Sequence, residues 1–228
     1  MVLGGTKTVI LAGGKGTRLG DNYDKPKPLV RVGGHPLIYH VIKQYAKYGF
    51  SDFIIAAGYR ADELWKYFNN ENLPYKIEVI DTGLDTPTGG RVKKLEGLLR
   101  DTFMVTYADG ISNVNIDQLF SFHKFNKRIG TVTAVHPPAR FGQIEIGQDD
   151  SIISFAEKDN VEVGWVNGGF MVFEPTVFDY LKPDQELERY TMVWLKNNNQ
   201  LTAYCHYGFW QCVDTQRDVE YLNDFLGK

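Results

Sequence analysis

The stretch Thr8-Val-Ile-Leu-Ala-Gly-Gly-Lys-Gly-Thr-Arg-Leu19 decides how this chain folds. Residues 8–12 are apolar and β-branched, and the run stops at Gly13-Gly14. A short apolar run closed by glycines reads as a buried strand, since glycine lets the backbone leave a sheet in a tight turn. Successive amides after such a strand form a concave site for an anion. Two common phosphate loops do not fit. A Walker loop ends in Gly-Lys-Ser/Thr, whereas Gly14-Lys15 is followed by Gly16. The dinucleotide fingerprint demands a third glycine where Leu19 stands and an immediate helix, which Pro26 and Pro28 interrupt. Lys15, Arg18, Lys25 and Lys27 crowd the same segment, which favours phosphate binding over a turn of purely geometric purpose.

Outward from this loop, strand and helix alternate. A helical pattern over 36–48 has Pro36 in its first turn and Gly49 past its end. Buried strands are expected over 52–57, 75–80 and 102–107, with helices over 61–68 and 90–99. Such alternation implies right-handed βαβ units. Beyond residue 110 the pattern changes to strands at 130–136, 142–146, 151–156 and 168–173. Helical periodicity there is clear over 115–125 and about 190–197. The expected fold class is therefore α/β, with a Rossmann-like mixed, mostly parallel central sheet flanked by helices.

Composition excludes several function classes. The chain has 228 residues and a formal net charge of -3, with 43% apolar and 14% aromatic residues. That balance suits one domain with a large core and not a disordered chain. The 25 basic and 28 acidic side chains form no basic block, which argues against nucleic acid as a partner. Cys205 and Cys212 are too few for a disulfide scaffold or an all-cysteine zinc site. No apolar run reaches the ~20 residues of a membrane span. Residues 1–8 lack a charged-then-apolar signal pattern. A soluble, cytoplasmic protein is expected, without a membrane partner.

Gly13-Gly-x-Gly-Thr-Arg18, Lys25-Pro-Lys-Pro28 and Val32-Gly-Gly-His-Pro36 together resemble the signature of the sugar-1-phosphate nucleotidyltransferases. Distant stretches are similar to the glucose-1-phosphate cytidylyltransferase branch of that family. They are Asp81-Thr-Gly83 with Thr88-Gly-Gly-Arg91, Thr106-Tyr-Ala-Asp-Gly110, and Pro137-Pro-x-Arg-Phe-Gly142. Ser154-Phe-x-Glu-Lys158, Asn167-Gly-Gly-Phe170 and Gly208-Phe-Trp-Gln211 with Val213-Asp-Thr-x-Arg-Asp218 continue the match. Each motif alone is weak; their order and number are specific. The resemblance implies a nucleotide-diphospho-sugar transferase-like fold in a single domain over 1–228. Its nucleotide-binding lobe would cover about 1–129 and its sugar-phosphate-binding lobe about 130–228.

The reaction the resemblance implies is attack of a sugar 1-phosphate on the α-phosphate of CTP, giving a CDP-sugar for surface polysaccharide. Arg18 and Lys27 would be the basic catalytic groups, with Lys25 assisting. The nucleotide would lie on Leu11, Ala12, Gly13, Gly14, Gly16 and Thr17. It would also meet the Thr88, Gly89, Gly90 and Arg91 turn, and Asp109. Arg91 has two readings, a donor to the cytosine ring or a partner of phosphate or a surface acid. Asp109 and Asp214 would hold Mg2+, which takes one or two protein carboxylates and keeps several waters. Only the resemblance pairs these two aspartates, which lie far apart in sequence. Gly142, Glu157, Lys158, Asn167 and Gly168 would contact the sugar phosphate.

Departures from the family pattern are His35 for Lys, Ala108 for Gly, Asp159 for Pro, and a short link between Phe68 and Tyr75. They leave open another NTP or acceptor, such as a heptose 1-phosphate or an alcohol phosphate. A catalytically silent nucleotide-binding regulator and a homo-oligomer also stay open.

Overall fold

The computed structural model describes residues 5–19, 25–139, 141–157 and 164–227. Its central strands are β1 (Lys7–Ala12), β4 (Asp52–Ala57), β5 (Lys76–Asp81), β6 (Phe103–Tyr107), β8 (Gly130–Val135), β11 (Val166–Phe173) and β12 (Leu201–His206), while β2 (Arg31–Val32) and β3 (His35–Pro36) form a separate small hairpin. The seven make one sheet in the order β12-β8-β11-β6-β1-β4-β5. Within this sheet both pairings of β11 are antiparallel and the others are parallel. The sheet is thus continuous across the two halves of the chain. Helices α1 (Leu37–Ala46), α2 (Ala61–Asn70), α3 (Thr88–Lys93) and α4 (Ile116–Asn126) connect the strands of the first half.

Both faces of β1 are covered, as its unbroken apolar run requires. Ile10 and Ala12 join a core with Ile38, Ile42, Phe53 and Phe170. Val9 and Leu11 join a second core with Val92, Phe103, Leu187 and Leu195. Each fully buried side chain of this size contributes roughly 1.5–3 kcal/mol. A hairpin of β9 (Gln143–Ile146) and β10 (Ile152–Ala156) stands apart from the central sheet with exposed strands.

Several elements differ from the expected pattern, among them β12, where no strand was expected. The segment expected as one helix over 90–99 is instead α3 followed by a 3-10 turn at Glu96–Leu98. The C-terminal part holds a π-helix at Leu187–Met192, a short α5 (Val193–Asn197), and a further helix, α6 (Gln216–Leu226), that the periodicity reading missed. The start of α6 is fixed by a capping box. The Thr215 side chain accepts from the Asp218 amide, and the Asp218 carboxylate accepts from the Thr215 amide. Val219 and Leu222 of α6 pack on Leu19, Val30, Val32 and Val213 in a third core. That cluster anchors the segments next to Arg18, Lys27 and Asp214. Among the described residues, no helix is long and apolar enough to cross a membrane.

Candidate active site

A cavity of about 790 Å³ opens at the carboxyl ends of β1 and β6, where open α/β sheets bind ligands. Its wall is the glycine-rich loop. Gly16 has φ +65, and a Cβ there would lie 2.7 Å from the Cβ of Lys27, so the turn needs both the left-handed backbone and the bare face. Leu11, Ala12, Gly13, Gly14 and Thr17 line the same wall.

Lys27 is the centre of charge. Its ammonium donates to Asp109 at 2.6 Å and to Asp214 at 2.9 Å. Arg18 donates to the other oxygen of Asp214 at 3.3 Å, with its own side chain 79% exposed. Burial pulls the Lys27 pKa down, but Asp109 and then Asp214 outweigh it, and the net direction is upward. Two short strands bring the aspartates together. β7 (Gly110–Ser112) pairs antiparallel with β13 (Trp210–Cys212), with Gly110 opposite Cys212. Just beyond that end of the ladder, the Val213 amide donates to the Asp109 carbonyl at 3.0 Å. This pairing could not be read from spacing.

The donor set suits a hard cation. Two carboxylates from separate elements already converge on one positive group, and Mg2+ typically takes one or two carboxylates with waters and phosphate oxygens. Cys212 lies in the same cluster, its sulfur within 4.8 Å of a carboxylate oxygen of each aspartate. Burial first, then Asp109 and Asp214, push its thiol pKa up to about 12, so it stays a neutral neighbour. Sequence reasoning weighed Cys212 only against a disulfide scaffold or an all-cysteine zinc site and had no signal for this placement.

The Thr88–Arg91 turn divides. Thr88 lines the cavity, while Gly89 and Gly90 do not. A Cβ on Gly89 would lie 2.5 Å from the Gln185 carbonyl oxygen, and one on Gly90 would lie 2.0 Å from that of Pro183. These glycines allow backbone to pack on backbone. Arg91 borders the cavity, and its hydrogen bonds run to the protein itself. Its guanidinium is buried and donates to the carbonyls of Ala57, Gly83, Gly13 and Leu84 and to the Thr82 hydroxyl. It ties the glycine loop to the ends of β4 and β5. Sequence reasoning also missed Glu188, in the π-helix. Its carboxylate lines the cavity and accepts from the hydroxyls of Thr88 and Tyr107.

Lys25 is exposed and does not line the cavity. Gly142, Glu157, Asn167 and Gly168 also lie off the cavity wall. A Cβ on Gly142 would come 3.1 Å from a Glu157 carboxylate oxygen, so these two are neighbours. The Asn167 side chain accepts from the Gly169 amide. The α-carbon of Gly168 faces Val135, with 2.6 Å left for a Cβ. Lys158 lies outside the described residues.

Comparison with known proteins gives the family and the fold. The profile of the family described as nucleotidyl transferase matches residues 7–218. The chain is 37% identical to glucose-1-phosphate cytidylyltransferase of Salmonella typhi, over 97% of this chain and 96% of that one. It is 36% identical to a probable glucose-1-phosphate cytidylyltransferase of Bacillus subtilis, over 95% and 94%. Among solved structures it is similar to HddC from Yersinia pseudotuberculosis complexed with GMP-PN, with TM-score 0.73 and 22% identity over 96% and 99% of the two chains. A putative glucose-1-phosphate thymidylyltransferase from Bacillus anthracis, in complex with a sucrose, gives TM-score 0.72 and 23% identity over 97% and 95%.

Proposed function

The chain belongs to the nucleotidyl transferase family, and from that membership we propose that it moves a cytidylyl group from CTP to glucose 1-phosphate, releasing CDP-glucose and pyrophosphate. The observation that carries this reading is the Lys27 bridge between Asp109 and Asp214 beside Arg18, at the end of a glycine-rich loop. It places two cations and two candidate metal ligands on one cavity.

An oxygen of the sugar phosphate attacks the α-phosphorus of CTP. A new P–O bond forms, and the bond to the β-phosphate breaks as pyrophosphate leaves. The attacking oxygen belongs to a phosphate whose second pKa is about 6, so it is anionic at neutral pH and needs no general base. What the protein must supply is alignment and charge compensation. Lys27 is held on a 3-10 turn between prolines and Arg18 on the neighbouring loop, and both offset the repulsion between the anionic reactants. Mg2+ held by Asp109 and Asp214 would neutralise charge on the phosphate oxygens. Residues 1–129 serve the nucleotide and residues 130–228 the sugar phosphate. The protein acts in the cytoplasm and feeds surface-polysaccharide synthesis.

The test is pyrophosphate release with each of four NTPs, Mg2+ and a panel of sugar 1-phosphates. CTP with glucose 1-phosphate should give the highest kcat/KM. Equal use of all four NTPs overturns the cytidylyl assignment, and turnover without a sugar phosphate overturns the acceptor class.

A further inference from the structure

Four carboxylates line the cavity, and three of them have cationic partners. Asp109 and Asp214 share Lys27, and Glu186 pairs with Arg189 at 2.9 Å. Glu188 differs: among the described residues its partners are two hydroxyls and no cation. The direction of both bonds is fixed. The Thr88 hydroxyl oxygen accepts from the Leu187 amide at 2.9 Å, so its proton points to Glu188 at 2.6 Å. The Tyr107 phenol is pushed well above its usual range by burial and then by Glu188, so it too stays protonated and donates.

An ionised carboxylate offers about four lone-pair directions, and two hydroxyls use two of them. What remains can accept only from donors. Phosphate groups are repelled there, so the matching part of a nucleotide carries N–H or O–H groups. Glu188 bridges Thr88, the first residue of α3, and Tyr107, the last of β6. Next to Thr88 the wall is Pro87, and Leu11 and Ala12 add further apolar surface to the cavity. Such a wall suits the flat face of a base, whose edge then needs a polar partner. Arg91, the other polar group of this turn, is spent on five internal acceptors.

We propose that Glu188 accepts from the exocyclic amine of cytosine and so distinguishes CTP from UTP. This rests on the cytidylyl reading above. At the same ring position uracil carries a carbonyl oxygen, and two acceptors facing each other are unfavourable. A site built to accept a substrate N–H rejects an analogue that lacks it more strongly than a hydrophobic site rejects a missing methylene.

The experiment compares kcat/KM for CTP and UTP, with glucose 1-phosphate, in the wild type and in Glu188→Gln. The amide keeps the shape but can donate to the uracil oxygen. The CTP/UTP preference should collapse by roughly ten- to a hundredfold, the range of one hydrogen bond to a charged group, with UTP use rising in absolute terms. A purely structural role would lower both substrates alike, and an unchanged ratio in a folded variant overturns the proposal. Loss of discrimination between CTP and dCTP instead would place Glu188 on the ribose and also overturn it. A second measurement needs no variant: the triphosphate of 2-pyrimidinone riboside lacks the amine, and the wild type should bind it at least tenfold more weakly than CTP. Equal binding overturns the proposal. A wild type that shows no preference for CTP refutes the cytidylyl reading itself, a separate result.

Discussion

Lys27 and Asp109, 82 residues apart in sequence, meet at 2.6 Å between ammonium and carboxylate. Asp214 closes the same bridge from the C-terminal region at 2.9 Å. The Lys27 side chain is 14% exposed, so its charge is little screened by water. Removing it leaves two carboxylates facing each other without compensation. Lys27→Met should therefore lower turnover roughly a hundredfold or more. It should also cost about 1–3 kcal/mol of stability, because it strands partly buried charges. Thermal unfolding with and without Mg2+ checks the second part. The ion should stabilise the variant more than the wild type, and equal shifts would show that the carboxylates do not share a cation.

Asp214 is held for such sharing by the start of α6. Its amide donates to Asp218 at 2.9 Å, and the same carboxylate caps the helix through Thr215. Asp214→Asn keeps this backbone anchorage and removes only the charge. The Mg2+ concentration giving half-maximal turnover should rise at least tenfold. Chelation should abolish turnover in the wild type. An unchanged Mg2+ requirement in the variant would remove Asp214 from the metal site.

The first sheet strands and the glycine loop were legible because their signals are local. The run at 8–12 ends in glycines, and its neighbours repeat the same pattern. Residue types also pointed to Arg18, Lys27, Asp109 and Asp214, although only family likeness joined the aspartates. What joins them physically is the register of β7 on β13, strands of three residues each, too short to show periodicity. The α6 helix did have a signal in Thr215-x-x-Asp218, the spacing of a capping box. Glu188 had none, for a glutamate in an amphipathic segment looks like any solvated side chain until the π-helix turns it toward Thr88. Gly89 and Gly90, read as nucleotide contacts, also have a packing role that no local pattern shows: the 183–187 segment fills the space where their side chains would stand.

Gly90 gives the sharpest steric test of that point. A methyl group there would sit 2.0 Å from a backbone oxygen of Pro183, and backbone cannot rotate aside as a side chain can. Gly90→Ala should destabilise the fold by about 2–4 kcal/mol, through strain of the kind produced by overpacking. Chemical denaturation measures this directly. A stable Gly90→Ala with weakened nucleotide binding would restore the ligand-facing role.

His123 on α4 is fully buried. Its Nδ1 lies 2.8 Å from the Thr131 hydroxyl, and its Nε2 is 3.3 Å from Glu174 but without hydrogen-bond geometry. Burial pulls its pKa below the ordinary 6.5, and Glu174 opposes this without overcoming it, while Lys124 adds to the depression. In the window below 6.5 the unfolded chain takes up a proton that the native ring refuses. Stability therefore falls as pH drops through 6.5 toward the folded value, by up to about 1.4 kcal/mol per pH unit for this group. Unfolding free energies at pH 7.5 and 5.5 should fall more steeply for the wild type than for His123→Gln. Parallel curves would show that the ring takes up its proton without penalty.

Arg91 separates a structural from a substrate-contacting role. Its guanidinium satisfies four carbonyls and a hydroxyl at 2.7–3.1 Å, and no ammonium can reach that many acceptors in one plane. Arg91→Lys keeps the positive charge yet leaves several buried acceptors unpaired, at about 1–3 kcal/mol for each group left unsatisfied. One of those acceptors is the Gly13 carbonyl, so the glycine loop should loosen as well. The expected result is a lower unfolding midpoint together with a higher KM for the nucleotide. Adding saturating CTP should recover part of the midpoint, because ligand binding reorders the loop. If the variant keeps the wild-type midpoint and only KM rises, Arg91 contacts the substrate directly and its bonds to the loop are incidental.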